Sequence, residues 1–437
     1  MCRILRYPCN VILVNSRYIL RGYLAGGASA RIGDEMSGPA LLLLGLAVTG
    51  SATSGSALLA GVTISAVIGG PLLGVLLDRS DRPGRVLAFA LAGYAAGLAA
   101  ILVSLGRLPT PAVVGIALLT GLLGPALAGG WTSQLPRVAP AAGLSRATAH
   151  DAMTFSLASL VGPAAAGLVA WAAGAAMAVA VSVALIALAL PAAWTLPDAH
   201  ASPAWRPSGP RRSVTRHLVS GLRAIMHGRP LFRATATSTI SYVGIGMFVV
   251  SCPLLAEPVF GDARHGALLL AAVAGAALAA NALLARRPGT AGPPDRILWL
   301  SAVILAVAFS VALAAIASVH AGSGVTGYAA PLLITAAVVA GAADGPQLAA
   351  LIAIRHREAP DHLRSQIFTT GASFKITGFA VGSALAGPLS TWSLGGALAS
   401  AAGVEIAAAL AYAACRAERP RREGQPVGDS GHRRWIA

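Results

Sequence analysis

Residues 74–85 read G-V-L-L-D-R-S-D-R-P-G-R and lie between two long apolar runs, 54–77 and 86–105. A helix needs about 20 apolar residues to cross the hydrocarbon core of a bilayer, so each run is long enough to span a membrane. The connecting segment carries too many charges to lie in lipid and is too short to form a domain. It therefore predicts a loop at one face of a membrane.

The composition of the whole chain supports a membrane protein. Charged residues make up 11% of the 437 positions and hydrophobic residues 56%, and the mean hydropathy is +0.72. A soluble domain carries roughly 25% charged residues, so this chain has too few to cover a water-facing surface. The net charge of +16 does not indicate nucleic-acid binding, because the arginines lie between apolar runs, where they determine topology. The expected partner is the lipid bilayer, and no nucleic acid is expected.

The sequence contains no pattern typical of a cofactor or a metal. Its cysteines, Cys2, Cys9, Cys252 and Cys415, form neither a CxxC pair nor a cluster with histidine, which predicts no zinc site and no disulfide framework. A phosphate-binding loop of the Walker type is absent as well. No group of His, Asp, Glu or Cys has the spacing of a catalytic centre, so we expect no catalytic residue, no cofactor and no enzyme activity.

The apolar runs predict an all-α polytopic membrane protein with twelve transmembrane helices in two six-helix pseudo-repeats. The runs are 22–50, 54–77, 86–106, 110–135, 146–172, 175–196, 232–256, 265–285, 297–318, 326–354, 364–391 and 396–415. We expect an N-terminal cytoplasmic segment (1–21), an N-terminal six-helix half (22–196), a cytoplasmic linker with an amphipathic helix (197–231), a C-terminal six-helix half (232–415) and a basic cytoplasmic tail (416–437).

The arginines predict the orientation of the chain. Only Arg107 and Arg264 fall in loops after odd-numbered spans, whereas the other loops, the linker and both tails carry nearly all the rest. The positive-inside rule then places both termini and the 74–85 loop in the cytoplasm, in a multi-pass protein of the cytoplasmic membrane.

The two halves share short landmarks in the same order, which favours an ancient duplication. Gly124-Pro125 corresponds to Gly345-Pro346, and Phe155 to Phe374.

These features together resemble the major facilitator superfamily, whose loop signature is roughly G-x-x-x-D-R-x-G-R-R. In this chain Gly74, Asp78 and Arg79 match the first half of the signature, and Gly84 and Arg85 match its end, with two extra residues between them. Asp81 and Arg82 match the second half in an alternative register. Either aspartate therefore remains a candidate for the family role.

The resemblance implies a gating role for this motif: its arginines and aspartate hold helix ends together on the cytoplasmic side. An aspartate at a helix end can face the positive N-terminus of a neighbouring helix. The alternative is a loop that only sets topology through local ion pairs.

A second pattern, Gly162-Pro163 with Gly167, resembles the G-P-x-x-G-G sequence of antiporters in the same superfamily. This resemblance points to the drug and metabolite efflux branch. The alternative is that the three residues permit close helix packing and a kink.

Charged residues inside the spans are candidates for coupling or substrate binding, because burying charge in a membrane is costly. In the first span Arg31 can reach Asp34 or Glu35 along the helix but cannot neutralise both. Lys375, the only lysine among 32 Lys and Arg residues, is expected at the depth of Asp344 on the neighbouring span. That pair either takes part in transport or forms a permanent structural ion pair.

The function that follows is secondary active transport of a small molecule by alternating access, with protons as the coupling ion and export as the direction. The alternatives are a proton-coupled metabolite importer and a polytopic ligand sensor that does not transport. We expect the protein to be a monomer.

Overall fold

The computed structural model describes residues 9–198, 213–287, 292–320 and 328–417, and the regular elements in these ranges are helices. The α-helices are α1 (Cys9–Thr49), α2 (Ala52–Asp78), α3 (Pro83–Ser104), α4 (Thr110–Gly121), α5 (Gly129–Thr132), α6 (Leu135–Val138), α7 (Leu144–Ala173), α8 (Ala175–Ala187), α9 (Leu190–Trp194), α10 (Val214–His227), α11 (Arg229–Phe260), α12 (Gly266–Arg286), α13 (Pro294–His320), α14 (Ala329–Glu358), α15 (Arg364–Trp392) and α16 (Leu394–Ala417). Helices suit a chain this apolar because each satisfies its own backbone hydrogen bonds, which lipid cannot do.

Eleven stretches of the described residues are long and apolar enough to cross a membrane. They are Tyr18–Thr49, Thr53–Asp78, Pro83–Ser104, Thr110–Thr132, Ala141–Ala173, Ala175–Trp194, Arg229–Phe260, Gly266–Arg286, Pro294–Val319, Ala329–Glu358 and Leu394–Cys415. The expected all-α polytopic architecture is therefore confirmed. The helix α15, with 29 residues, is long enough but is interrupted by polar side chains such as Gln366 and Lys375.

Two large hydrophobic cores form separately along the chain. One draws its buried side chains from the part between Tyr23 and Leu196, and the other from the part between Met247 and Ala402. Each core is rich in alanine and leucine, and small residues let membrane helices approach closely. The long helices are thus packed as two groups that meet along one interface.

The two Gly-Pro pairs that correspond in sequence have different local structures. At Gly124-Pro125 the helix stops in a 3-10 turn, Gly124–Ala126, because proline lacks an N–H donor and its ring disfavours the preceding helical turn. At Gly345-Pro346 the helix α14 continues. The break after Gly124 lets the short helix α5 approach α15, where a Cβ on Gly129 would lie 2.5 Å from the Phe368 carbonyl oxygen.

The N-terminal helix begins earlier than the sequence predicts. Its first residue is Cys9, whereas the first apolar run was expected to begin at residue 22. The helix α10 lies within the expected linker and has apolar and basic faces. The expectations for residues 1–8, 199–212 and 418–437 lie outside the described residues.

Close packing of α11 against α15 depends on glycine at position 382. A Cβ on Gly382 would lie 1.9 Å from the carbonyl oxygen of Val243. The glycine five residues later on the same helix, Gly387, has no atom within 4 Å of that position.

We expect Gly382→Leu to lower the thermal unfolding midpoint of the purified protein and Gly387→Leu to leave it unchanged. Overpacking a close contact costs about 1–3 kcal/mol, whereas an exposed substitution costs about 0.5 kcal/mol or less. Thermal unfolding in detergent measures both variants. Equal midpoints for the two variants would contradict the packing described here.

Candidate functional site

One end of the helix bundle, which we call the basic end, joins the two groups of helices through Asp78. This is the end at which α2 ends and α15 begins. The carboxylate of Asp78 accepts hydrogen bonds of 2.8 Å from the backbone N–H groups of Ser365 and Gln366. The first N–H groups of a helix have no partner within the helix and carry partial positive charge, so a carboxylate there is stabilising. Of the two candidate aspartates, Asp78 occupies this position.

One arginine side chain, Arg137, acts on the Asp78 carboxylate. Arg137, which lies outside the spans, is electrostatically coupled to Asp78 and to Arg364. Burial and the positive charge of Arg364 lower the pKa of Arg137, and the negative charge of Asp78 acts in the opposite direction. The Asp78 carboxylate therefore stabilises both the N-terminus of α15 and a partly desolvated guanidinium.

The remaining residues of the loop motif contact the end of the first helix group. Arg82 lies 3.8 Å from Asp198, with both side chains more than half exposed, and Arg85 lies over the ring of Trp194 at 5.3 Å. Arg79 is exposed. A Cβ on Gly84 would lie 2.6 Å from the Ala193 carbonyl oxygen, so glycine permits α3 to begin against α9.

Gly74 allows α2 to pack closely against α15. A Cβ on Gly74 would lie 2.4 Å from the Cα of Gln366. One turn earlier, a Cβ on Gly70 would lie 2.1 Å from the Ser373 hydroxyl, and that hydroxyl donates a 2.9 Å hydrogen bond to the Ala66 carbonyl oxygen. A stripe of small residues therefore runs from the basic end into the bundle along this interface.

Other residues close the basic end between the two helix groups. The hydroxyl of Ser133 lies 3.2 Å from that of Ser365, and Asn281 donates a 3.4 Å hydrogen bond to Ser156. A buried apolar cluster drawn from both groups lies beside them and consists of Ala152, Ala349, Ile352 and Phe368, with Phe155, Leu284 and Leu348 packed against it. Polar and apolar contacts together seal this end.

Arg31 does not pair with its neighbours on α1. Its guanidinium forms an ion pair of 2.9 Å with Asp151 of α7 and donates to the Thr132 hydroxyl at 2.8 Å. It also contacts Thr154 and the Leu127 carbonyl oxygen. The ion pair expected along one helix is therefore not formed. Arg31 instead pairs with an acid of another helix, and the two side chains are only 3% and 0% exposed.

Asp34 and Glu35 therefore lie apart from the charge of Arg31. Asp34 is partly buried and accepts a 2.6 Å hydrogen bond from the hydroxyl of Tyr94. Glu35 has an exposed side chain and interacts electrostatically with Lys375 of the second helix group. Of the two acids, Glu35 faces the other group.

Lys375 and Asp344 are joined through a third residue. The ammonium group of Lys375 donates a 2.9 Å hydrogen bond to the hydroxyl of Tyr242, and that hydroxyl donates to Asp344 at 3.4 Å. The expected closeness of Lys375 and Asp344 is present, but a neutral hydroxyl connects the two charges.

The ring of Phe155 lies close to both Arg31 and Lys375. The guanidinium carbon of Arg31 is 3.7 Å from the centre of this ring, and the Lys375 nitrogen is 5.8 Å from it. A cation over an aromatic face is stabilised by the ring quadrupole. Phe155 thus contacts a cation of one helix group and lies near a cation of the other.

The Gly162-Pro163 pattern packs directly against Glu35. A Cβ on Gly162 would lie 2.6 Å from the Cβ of Glu35, so α7 can approach α1 at this depth only with a very small residue. Pro163 lies inside the continuous helix α7. Gly167 has no atom within 4 Å of its Cβ position, and the helix packing expected there is not present in the structure.

Sequence reasoning missed several residues of this site. Asp151 was not singled out, although it is an acid only seven residues into α7, and Tyr94 and Tyr242 carry no recognisable motif. The sequence gives no signal for Asp151, because Arg31 has two acids of its own helix within reach and requires no partner from another span. Among the described residues, no group of three or more His, Cys, Asp or Glu is arranged to hold a metal ion.

These observations define a polytopic helical membrane protein in which two helix groups meet over buried charges. Residues 23–329 match the family model of the Major Facilitator Superfamily. Because this match covers more than half of the chain, the protein belongs to the major facilitator superfamily. That family consists of transporters, so the expectation of a transporter rather than an enzyme is confirmed.

Known relatives agree with this assignment. An uncharacterized MFS-type transporter, y4rN, from Sinorhizobium fredii (strain NBRC 101917 / NGR234) is 31% identical over 245 residues, which are 55% of this chain and 56% of that protein. The alignment thus spans little more than half the length of that relative.

Solved structures show the same fold at low identity. A bacterial homologue of the iron transporter ferroportin in its outward-facing state has a TM-score of 0.73 at 13% identity and covers 91% of this chain and 99% of that chain. The human organic anion transporter MFSD10 has a TM-score of 0.68 at 14% identity, with the same coverage. The proton:xylose symporter XylE has a TM-score of 0.65 at 15% identity and covers 92% and 95%.

We expect Asp78→Asn to weaken closure of the basic end and Asp81→Asn to leave it intact. Loss of a charge that faces a helix N-terminus costs about 1–2 kcal/mol, which is roughly a 5–30-fold change in an equilibrium. In a protein whose native cysteines are replaced, Ser133→Cys with Ser365→Cys reports closure through disulfide formation. Equal cross-linking rates in the Asp78→Asn, Asp81→Asn and unsubstituted backgrounds would contradict this role.

Proposed function

We propose that this protein is a secondary transporter that moves a small molecule across the cytoplasmic membrane by alternating access. The observation that carries the proposal is the meeting of two separately packed helix groups over Glu35, Phe155 and Lys375, above a closed basic end. A site between two rocking halves at mid-depth is the arrangement typical of repeat-built transporters.

The proposed topology has twelve spans: α15 is added to the eleven stretches given above and is the eleventh in chain order. Its packing against α2 and α11 supports a membrane-spanning position, because both neighbours are spans. The six-helix halves are then 22–196 and 232–415, joined by the linker 197–231. The arginines at the basic end support a cytoplasmic location for that end.

The described arrangement corresponds in this proposal to the state that is closed to the cytoplasm. Asp78 at the N-terminus of α15 and the small residues along α2 hold that closed state. Opening requires α2 and α15 to separate, which breaks both hydrogen bonds to Asp78. The gating role is therefore assigned to Asp78, with Arg79, Arg82 and Arg85 as neighbouring charges that determine the loop's position.

Proton coupling is supported by the count of charges at the interface. Arg31 is paired with Asp151, whereas Lys375 interacts electrostatically with the acids Asp344 and Glu35 and with the buried cation Arg355. One ammonium group cannot fully neutralise both carboxylates, and among the ion pairs of the described residues none joins Arg355 to either acid. An unpaired charge at this depth is costly. Protons are the simplest means of neutralising the remaining charge, and Glu35 is the best-placed carrier because it faces the second half.

Export by exchange with protons is favoured by the position of the antiporter-like pattern. Gly162 packs on Glu35 itself, so the pattern and the proposed proton carrier form one structural unit. The alternatives are a proton-coupled importer and a ligand sensor without transport activity.

Inside-out vesicles from an overproducing strain test the proposal. The compounds to be tried are those whose growth inhibition is relieved by overproduction. For an exporter, adding such a compound dissipates a pre-formed pH gradient, measured with a fluorescent amine. Dissipation only in right-side-out vesicles identifies an importer. If compounds stabilise the purified protein but drive proton movement in neither orientation, the transporter proposal is wrong.

We expect Glu35→Gln and Asp34→Asn to abolish compound-driven proton movement while the protein is still produced. Both changes keep the side-chain shape and remove a titratable group. Glu257→Gln, a change at an exposed acid of α11, is the matched control and should behave as the unsubstituted protein. Proton movement at the normal rate in both Asp34→Asn and Glu35→Gln would show that coupling lies elsewhere.

The Lys375–Tyr242–Asp344 chain predicts a separate result. Tyr242→Phe removes the hydroxyl that joins the two charges, and we expect slower transport with little change in the thermal unfolding midpoint.

Exchange of the two charges, by Lys375→Asp with Asp344→Lys, should restore folding relative to either single change but not transport. Full recovery of both properties would identify a purely structural pair.

A further inference from the structure

Glu405 is a buried acid of α16 with an incomplete set of partners. Its side chain is 0% exposed. One carboxyl oxygen, Oε1, accepts a 3.0 Å hydrogen bond from the Ser241 hydroxyl, whereas Oε2 has no hydrogen-bond partner among the described residues. None of the ion pairs formed by the described residues includes Glu405.

Among the described residues, no cation of the helices around Glu405 forms an ion pair with it. The buried cation of α14, Arg355, acts on Tyr242 and Lys375. From α11 Glu405 meets Ser241, and from α14 it experiences the negative charge of Asp344. The acid of α13, Asp295, is held at the basic end by Arg233 and Arg357. On α15, the cation Lys375 is bound to Tyr242.

We propose that Glu405 is a proton-binding site of the C-terminal half and that the proton it holds is linked to the charge of Asp344. An ionised carboxylate without a buried partner costs several kcal/mol, so the buried group is held in its neutral form. The surroundings are also tight, because a Cβ on Gly244 would lie 2.9 Å from Oε1. A proton needs no additional room and no further ligands.

The link to Asp344 runs through adjacent residues of the same two helices. Ser241, which donates to Glu405, accepts a 2.9 Å hydrogen bond from the side-chain amide of Gln347. The next residue, Tyr242, donates to Asp344, which lies one turn before Gln347 on α14. A change of charge at Asp344 therefore acts on Glu405 directly through its electric field. It also acts through Tyr242 and Ser241, which are neighbours on α11, and through Gln347 on α14.

This inference rests on the proposed function only for its meaning in transport; the proton on Glu405 is testable without a substrate. Infrared pH-difference spectra of the purified protein in lipid nanodiscs detect the C=O stretch of protonated carboxyl groups. We expect Glu405→Gln to remove one such band that is present at neutral pH and disappears at alkaline pH. The matched control, Glu257→Gln, should retain that band.

A spectrum of Glu405→Gln identical to that of the parent protein would show that Glu405 is ionised and would overturn the proposal. Ser241→Ala keeps the acid and covers the case in which Glu405→Gln does not fold. Its expected effect is a shift of the same band to higher frequency, since the C=O group loses a hydrogen bond. The absence of a shift overturns the assignment of the band to Glu405.

The link to Asp344 and the identity of the bound cation have their own measurements. In Asp344→Asn a negative neighbour is lost, so the Glu405 band should disappear at a lower pH than in the parent; an unchanged midpoint overturns the link.

Replacing choline chloride by sodium chloride at constant pH should leave the band unaltered. Loss of the band in sodium would identify a sodium site and overturn the proton assignment. Failure of the vesicle assay affects none of these outcomes.

Discussion

The carboxylate of Asp78 at the start of α15 is the contact on which the arrangement of the two helix groups depends. Ser365 and Gln366 give it two N–H groups that α15 cannot satisfy itself. The amide side chain of Gln366 then donates to the Leu218 carbonyl oxygen of α10 at 2.9 Å. One turn of α15 therefore joins both groups and the amphipathic helix, and the closed end cannot open without exposing a carboxylate and two helix donors together.

The sequence predicts most of the fold because lipid imposes a simple rule on length and polarity. The runs that flank residues 74–85 become α2 and α3, and the run 364–391 becomes α15 almost to the residue. Local details depend on tertiary contacts that no run reveals. The pairs Gly124-Pro125 and Gly345-Pro346 read alike, yet only the first ends its helix, where α5 must approach the Phe368 backbone.

The candidate site was predictable in its charged residues but not in how they pair. Helical spacing places Arg31 near Asp34 and Glu35, and that spacing says nothing about an acid on another span. Arg31 forms its ion pair with Asp151, whose carboxylate is fully buried and lies in a cluster that includes Thr132 and Thr154. Tyr94 and Tyr242 are not predictable for a similar reason. A hydroxyl that binds a charged group of another helix has no signature in a single sequence.

The unequal binding of the two interface cations determines which one can respond to transport. Arg31 is fixed by an ion pair and by several hydrogen bonds within the first helix group, so moving it would strand Asp151 as an unpaired buried charge. Lys375 is bound to a neutral hydroxyl and lies 5.8 Å from the centre of the Phe155 ring. Its ammonium group can exchange partners among Asp344, Glu35 and a ligand at far lower cost. In the proposed transport cycle, Lys375 is therefore the group through which a change at Glu35 acts on α15.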